Sequence, residues 1–228
     1  MNYKAVILDF DGTMGDTQQL IVKTMQQTID TLGLEKRTKE QCQAMIGLPL
    51  KQTFTDLIAM TDEMGDRCVE VYRRLFDENN HPDAVPMFPH VEETIRRLHE
   101  QGFVLTIASS RSRKTLEEFL ERMKLQTYIT YIISATDIDN AKPAPDMVLR
   151  TMADLHLQPC DCVVVGDTWY DIRMAHGAGV DAVGVTYGNG TRQEMQAEHA
   201  EYIIDDFGQL IDVCCNSVSF CCNDKGVD

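Results

Sequence analysis

Two carboxylates stand one residue apart near the start of the chain, in the segment Asp9-Phe10-Asp11-Gly12-Thr13. At that spacing one carboxylate can attack as a nucleophile while the other donates a proton to a leaving group. A short Asp-x-Asp loop taken alone more often does no more than cap a helix, as Asp16-Thr17 is expected to do just downstream. The pair gains weight from residues further along the chain, which come in the order Ser109, Lys142-Pro143, and Gly166-Asp167 running on to Asp171. A hydroxyl, a cation and two further carboxylates then accompany the first pair.

These residues need elements to hold them. Lys4 to Leu8 is a near-continuous apolar run that opens into the Asp9 loop, the pattern of a strand buried on both faces. The same plan recurs at Phe103 to Ala108, Tyr128 to Ala135, Cys162 to Val165 and Ala182 to Val185. Segments able to form helices lie between these strands or directly before them, at Val91 to Gln101, Arg113 to Lys124, Pro145 to His156 and Tyr170 to Gly177. Strands alternating with helices predict an α/β, doubly wound, Rossmann-like parallel sheet. Ligands of such sheets bind beyond the carboxyl ends of the strands, where Asp9, Ser109 and Asp167 fall.

One interval breaks the alternation. From Asp16 to Asp83 the apolar spacing is helical (Leu20, Met25, Ile29, Leu32), and turn signals stand at Gly33, Gly47-Leu48-Pro49 and Thr61-Asp62. This predicts an all-helical cap over residues 16–83, inserted in a discontinuous core of residues 1–15 and 84–228, with residues 214–228 a disordered tail. Gly15 and Ala84 to Pro86 are candidate hinges for cap motion.

Composition narrows the partners. The 228 residues are 43% hydrophobic and 25% charged, as in an ordinary globular chain, with a net charge of −15. That field disfavours nucleic acid and anionic membranes, and an anionic substrate would have to be met by a local cation or a metal. No charged leader, cleavage site or long apolar segment is visible, so a cytoplasmic location is expected. The eight cysteines show no zinc-type spacing and are expected to be reduced, including the pairs Cys214-Cys215 and Cys221-Cys222. The methionines read as core filler, the histidines show no paired ligand spacing, and Trp169 is expected to pack beside the Asp167 loop.

The ordered set Asp9-Phe10-Asp11-Gly12-Thr13, Ser109, Lys142-Pro143 and Gly166-Asp167 to Asp171 resembles the haloacid dehalogenase superfamily, over residues 3 to about 210. The resemblance implies that Asp9 is the nucleophile that takes a phosphoryl group. It makes Asp11 the general acid and base, whose backbone carbonyl also binds the metal. Ser109 would bond a phosphoryl oxygen, Lys142 would neutralise nucleophile and phosphate, and Asp167 would be a metal ligand. Asp171 would act as a ligand or through coordinated water. Asp9, Asp167 and Asp171 beside a phosphate would repel one another strongly, which a hard divalent ion relieves; Mg2+ is the expected cofactor.

Within that family, Asp11 disfavours dehalogenation, which has no alcohol to protonate. Sugar-phosphate mutases carry a histidine at the position of Ile21, and a phosphonate-cleaving lysine would have to be Lys23 or Lys51, both read as solvated helix lysines. Ile46-Gly47-Leu48-Pro49-Leu50 and Gly184-Val185-Thr186-Tyr187-Gly188 resemble the phosphoglycolate phosphatase branch and its pyrophosphatase relatives. Ser110 and Arg111 depart from the asparagine-lysine pair common in that branch. Ser110, Arg111, Leu48 and Lys51 are the candidate substrate contacts, with Arg113 a further cation able to meet a carboxylate. The expectation is a monomer or small homo-oligomer hydrolysing a small phosphorylated metabolite, phosphoglycolate-like or a related phosphomonoester. The alternatives are an inorganic pyrophosphatase or a mutase, and the rival from another class is a non-catalytic metabolite-binding protein.

Overall fold

Ala5, Val6, Ile7 and Leu8 are all fully buried, so the first strand needs cover on both faces. A computed structural model of the chain, which describes residues 3–216, supplies it. Strand β1 (Ala5–Leu8) is followed by four helices, α1 (Gln18–Thr31), α2 (Lys39–Gln43), α3 (Leu50–Leu57) and α4 (Asp62–Asn79). The alternating part then runs α5 (Val91–Glu100), β2 (Val104–Ser109), α6 (Arg113–Arg122), β3 (Tyr131–Ser134), α7 (Asp146–Asp154), β4 (Cys162–Gly166), α8 (Trp169–Gly177) and β5 (Asp181–Val185). Helix α9 (Arg192–Ala197), strand β6 (Tyr202–Ile204) and helix α10 (Leu210–Asn216) complete the described residues.

The six strands are all parallel in the order β3-β2-β1-β4-β5-β6. Val6 and Leu8 share a cluster with apolar residues of α5, α6 and α10, whereas Ala5 and Ile7 pack with those of α7 and α8. Helices therefore lie on both faces of the sheet. The strand order reverses between β1 and β4, where Leu8 pairs with Val165 and the amide of Asp9 donates to the carbonyl of Val165 at 2.9 Å. The loops after these two strands diverge there, which opens the crevice that parallel sheets use for ligands.

The structure departs from the sequence reading in several places. β3 begins at Tyr131 rather than Tyr128, and the edge strand β6 is additional. Three residues are too few to carry a strand periodicity, so β6 exists because its backbone satisfies the open edge of β5. Thr17 occupies the N-cap position of α1, but its side chain makes no capping bond. Residues 214–216, expected in the tail, form the end of α10, and Cys214 is fully buried there, its thiol pushed up to about 12 by that burial. The rest of the expected tail, with Cys221 and Cys222, lies outside the described residues. The cysteines among the described residues form no disulfide, and no helix among them is long and apolar enough to cross a membrane.

The helical insertion returns beside its own departure. The amide of Asp16 donates to the carbonyl of Pro86 at 2.8 Å, that of Phe88 donates to Met14 at 3.0 Å, and Gly15 bridges to Met87. A Cβ at Gly15 would lie 3.0 Å from the Phe10 ring, so that residue is also required for packing. From the insertion an aromatic series crosses into the α/β part: Phe54, Tyr72, Phe76, Phe119 and Phe10, each ring in contact with the next. Phe10 separates Asp9 from Asp11, so this series ends inside the segment that holds the two carboxylates. Phe119→Ala should lower unfolding free energy by about 3–5 kcal/mol, because a fully buried ring leaves a cavity at the junction; urea unfolding measures it.

Candidate active site

Four residues far apart in sequence meet where β1 and β4 end. Asp9 follows β1, Asp167 follows β4, Asp171 lies in the first turn of α8, and Lys142 comes from the loop between β3 and α7. Lys142 Nζ donates to Asp9 Oδ1 at 2.5 Å and to Asp171 Oδ1 at 2.7 Å, and all three residues are buried. Thr168 fixes Asp171 from the other side, its amide and hydroxyl both donating to Oδ2 at 3.1 and 2.8 Å. This is the capping box of α8, so the cap that starts the helix also orients the carboxylate.

Asp167 is held by Asn189, whose backbone and side-chain N–H groups donate to Oδ2 at 2.7 and 2.8 Å. Sequence reasoning missed Asn189 and Thr168. Asn189 sits in the Gly188-Asn189-Gly190 turn just beyond β5, so the rule that placed Asp167 at a strand end could have found it. The turn lies very close: a Cβ at Gly188 would be 2.4 Å from Asp167, and one at Gly12 would be 2.0 Å from Asp167 Oδ2. Gly12 also has a positive φ of 83°, so both space and backbone conformation require glycine there.

Oxygens of Asp9, Asp167 and Asp171 lie within 4.8 Å of one another. Three buried carboxylates against the single ammonium of Lys142 make an oxygen-only, electron-rich donor set, drawn tight by two glycines. Such a set fits a hard divalent cation. The electrostatics agree with the crowding. Burial above all, with Asp171 and Asp11 nearby, pushes the Asp9 carboxyl up to about 7 despite Lys142. Burial and the charges of Asp9 and Asp171 hold Asp167 well above the usual carboxylate range. Burial opposes the charge on Lys142, but Asp171 and Asp9 outweigh it and keep its ammonium more firmly protonated than an ordinary lysine.

The second carboxylate of the first loop has a different partner. Asp11 is gripped by Arg111, whose Nη2 and Nε donate to Oδ1 and Oδ2 at 2.5 and 3.0 Å. The guanidinium packs against the rings of Phe76 and Phe119, 5.0 and 5.1 Å from their centroids, and its side chain is only 9% exposed. Ser109 is buried at the end of β2, and its hydroxyl accepts from the Arg111 amide at 3.3 Å. Ser110 reaches across to the inserted helices, its hydroxyl donating to the carbonyl of Gly47 at 2.6 Å.

Asp9, Asp11 and Ser109 line one side of a cavity of about 770 Å³ whose other walls come from the inserted helices, from α6 with the loop before it, and from Ala135 and Thr136 after β3. Leu48 and Lys51 border it too, but Lys51 is bonded to Asp62 at 2.8 Å and Asp66 at 2.7 Å. Arg113 does not enter the cavity lining; it donates to Asp137 and to the carbonyl of Ile132. Trp169 lies beside the Asp167 loop, stacked against Tyr170 and Arg173.

Both the sequence and the fold of the chain match known proteins. Residues 6–185 match the family model for haloacid dehalogenase-like hydrolases. The pyrophosphatase PpaX of Anoxybacillus flavithermus is 29% identical over 93% of this chain and 97% of its own length. The probable phosphatase IndB of Dickeya dadantii is 32% identical over 90% and 91%. A haloacid dehalogenase-like hydrolase of known structure from Bacteroides fragilis superposes with a TM-score of 0.87 at 29% identity, covering 91% of this chain and 99% of that one. The chain belongs to the haloacid dehalogenase-like hydrolases. Within them it is an enzyme of the phosphatase type.

The raised Asp9 carboxyl carries a stability consequence. Between its ordinary value near 4 and about 7, the folded chain retains a proton that the unfolded chain has released. The stabilisation is therefore complete at low pH and is lost as pH rises through about 7. In a chelating buffer the melting temperature should fall between about pH 4 and pH 7, and Asp9→Asn should remove part of that fall, Asp167 accounting for more of it. A divalent cation should oppose the loss at the upper end of the window.

Proposed function

We propose that the chain is a magnesium-dependent phosphatase that hydrolyses a small phosphorylated metabolite through an aspartyl-phosphate on Asp9. The observation that carries this reading is Lys142 Nζ bridging Asp9 and Asp171 within the buried carboxylate cluster, of which Asp9 reaches the cavity lining. A carboxylate of Asp9 attacks phosphorus in line with the departing alcohol oxygen, which takes a proton from Asp11. Asp11 then removes a proton from water, the water oxygen attacks phosphorus, and inorganic phosphate leaves as the Asp9 carboxylate is restored. Asp11 must give up at least one of its bonds from Arg111 to reach the leaving oxygen.

Lys142 balances the charge of Asp9 and an incoming phosphoryl oxygen, and Ser109 offers a hydroxyl at the same edge. Both oxygens of Asp171 are already bonded, to Lys142 and Thr168, which favours Asp171 as the residue that holds Lys142. Asp9, Asp167 and the backbone carbonyl of Asp11 remain as the groups to hold Mg2+. When bound, the ion supplies positive charge beside the transferring phosphoryl group. The helical insertion over residues 16–83 acts as a cap that excludes water from this site.

A mutase reading is not favoured, because the position that would relay a proton is the buried, apolar Ile21 on the cavity wall. Inorganic pyrophosphate belongs among the test substrates because relatives are named pyrophosphatases. The deciding experiment is phosphate release from a panel of phosphorylated metabolites with magnesium and with chelator. Release should require magnesium. Asp9→Asn should reduce turnover by at least about 10⁴-fold while keeping a wild-type circular-dichroism spectrum. Wild-type rates in that variant would overturn the mechanism.

A further inference from the structure

The cavity above Asp9 is larger and more apolar than a phosphorylated small acid requires. Its walls are formed by Ile21 and Met25 of α1, Leu48 and Leu50 around the start of α3, and Val69 and Phe76 of α4. At about 770 Å³ it lies toward the upper end of the roughly 300–1,000 Å³ that enclose drug-sized ligands. A two-carbon leaving group or a second phosphate would leave most of that wall uncovered.

The cations around the cavity are largely committed elsewhere. Lys51 is bonded to Asp62 and Asp66, Arg111 is bonded through two nitrogens to Asp11, and Lys114 lies 3.7 Å from Glu118. Arg73 is exposed on the cavity lining, with Asp77 one helical turn away on the same lining. At Lys51 and Lys114 a carboxylate or phosphate on the leaving group would compete with an acidic side chain already in place, at a cost that offsets its gain. A neutral group meets no such penalty, and each apolar surface it covers contributes to binding. Tyr72 adds one polar contact: it lines the cavity and is 8% exposed.

We propose, resting on the phosphatase reading above, that the substrate is the monophosphate ester of an uncharged alcohol bearing an apolar ring or chain. Its ring or chain lies against Leu48, Val69 and Phe76, and the Tyr72 hydroxyl meets a polar atom on it. Phosphoglycolate and inorganic pyrophosphate are then poor substrates.

The test compares kcat/KM for 2-phenylethyl phosphate, ethyl phosphate, phosphoglycolate and inorganic pyrophosphate with magnesium. The first two esters have similar leaving alcohols and differ in the apolar ring. The phenylethyl ester should exceed each of the others by about tenfold or more, the scale of apolar contacts in a pocket. Val69→Glu, at a half-buried wall position, should lower kcat/KM for the phenylethyl ester about tenfold and change that for ethyl phosphate less than about twofold. Equal values for the two alkyl esters in the wild-type enzyme, or a preference for phosphoglycolate or pyrophosphate, would overturn the proposal while leaving the phosphatase reading standing. No phosphate release from any of the four would overturn both.

Discussion

The site depends on one electrostatic constraint: three carboxylates held out of water within 4.8 Å of one another, with one lysine among them. Burying such charges is costly, and their geometry must be enforced by neighbours that cannot relax. Thr168 enforces it for Asp171, Asn189 for Asp167, and the β1–β4 pairing for Asp9. The glycines at positions 12 and 188 answer the same demand, since any side chain there would occupy the space of Asp167. Lys142 stays charged because two carboxylates outweigh its desolvation, which makes it a fixed positive charge rather than a titrating one.

The inserted helices are tied to this site by few but specific contacts. Ser110 bonds the carbonyl of Gly47, and the aromatic series passes from Phe54 to Phe10 through Phe76 and Phe119. Arg111 joins the two systems, because its guanidinium grips Asp11 while lying against Phe76 of the insertion and Phe119 of the α/β part. A shift of α4 would alter the packing around the arginine that holds Asp11. The position of the insertion and the freedom of Asp11 are thus physically coupled, through contact rather than distance.

Much of this was legible in the residues. The buried apolar run before Asp9 requires a strand covered on both faces, and its repetition between helical segments predicts a parallel sheet with strand-end loops on one edge. Asp9, Asp11, Ser109 and Asp167 combine a reactive type with such a place, whereas Lys142 and Asp171 took their roles from the resemblance to the haloacid dehalogenase superfamily. Asn189 and Thr168 could not be singled out by type, since both look like ordinary turn and capping residues. The short edge strand β6 was equally silent, because its three residues become a strand only when β5 offers them an open edge.

Arg111 and Lys51 show the limit most clearly. Both are cations suited by type to a substrate anion, yet the fold sets one on Asp11 and the other between Asp62 and Asp66. Sequence by itself determined which groups are present, the order of the strands and helices up to β5, and the chemistry a strand-end aspartate pair can perform, because these depend on residue type and periodicity. Only the tertiary structure decided which charges meet and which surfaces remain open. Pairing depends on distances of a few ångströms between segments far apart in the chain, and a buried charge engages whichever opposite charge the fold places within reach.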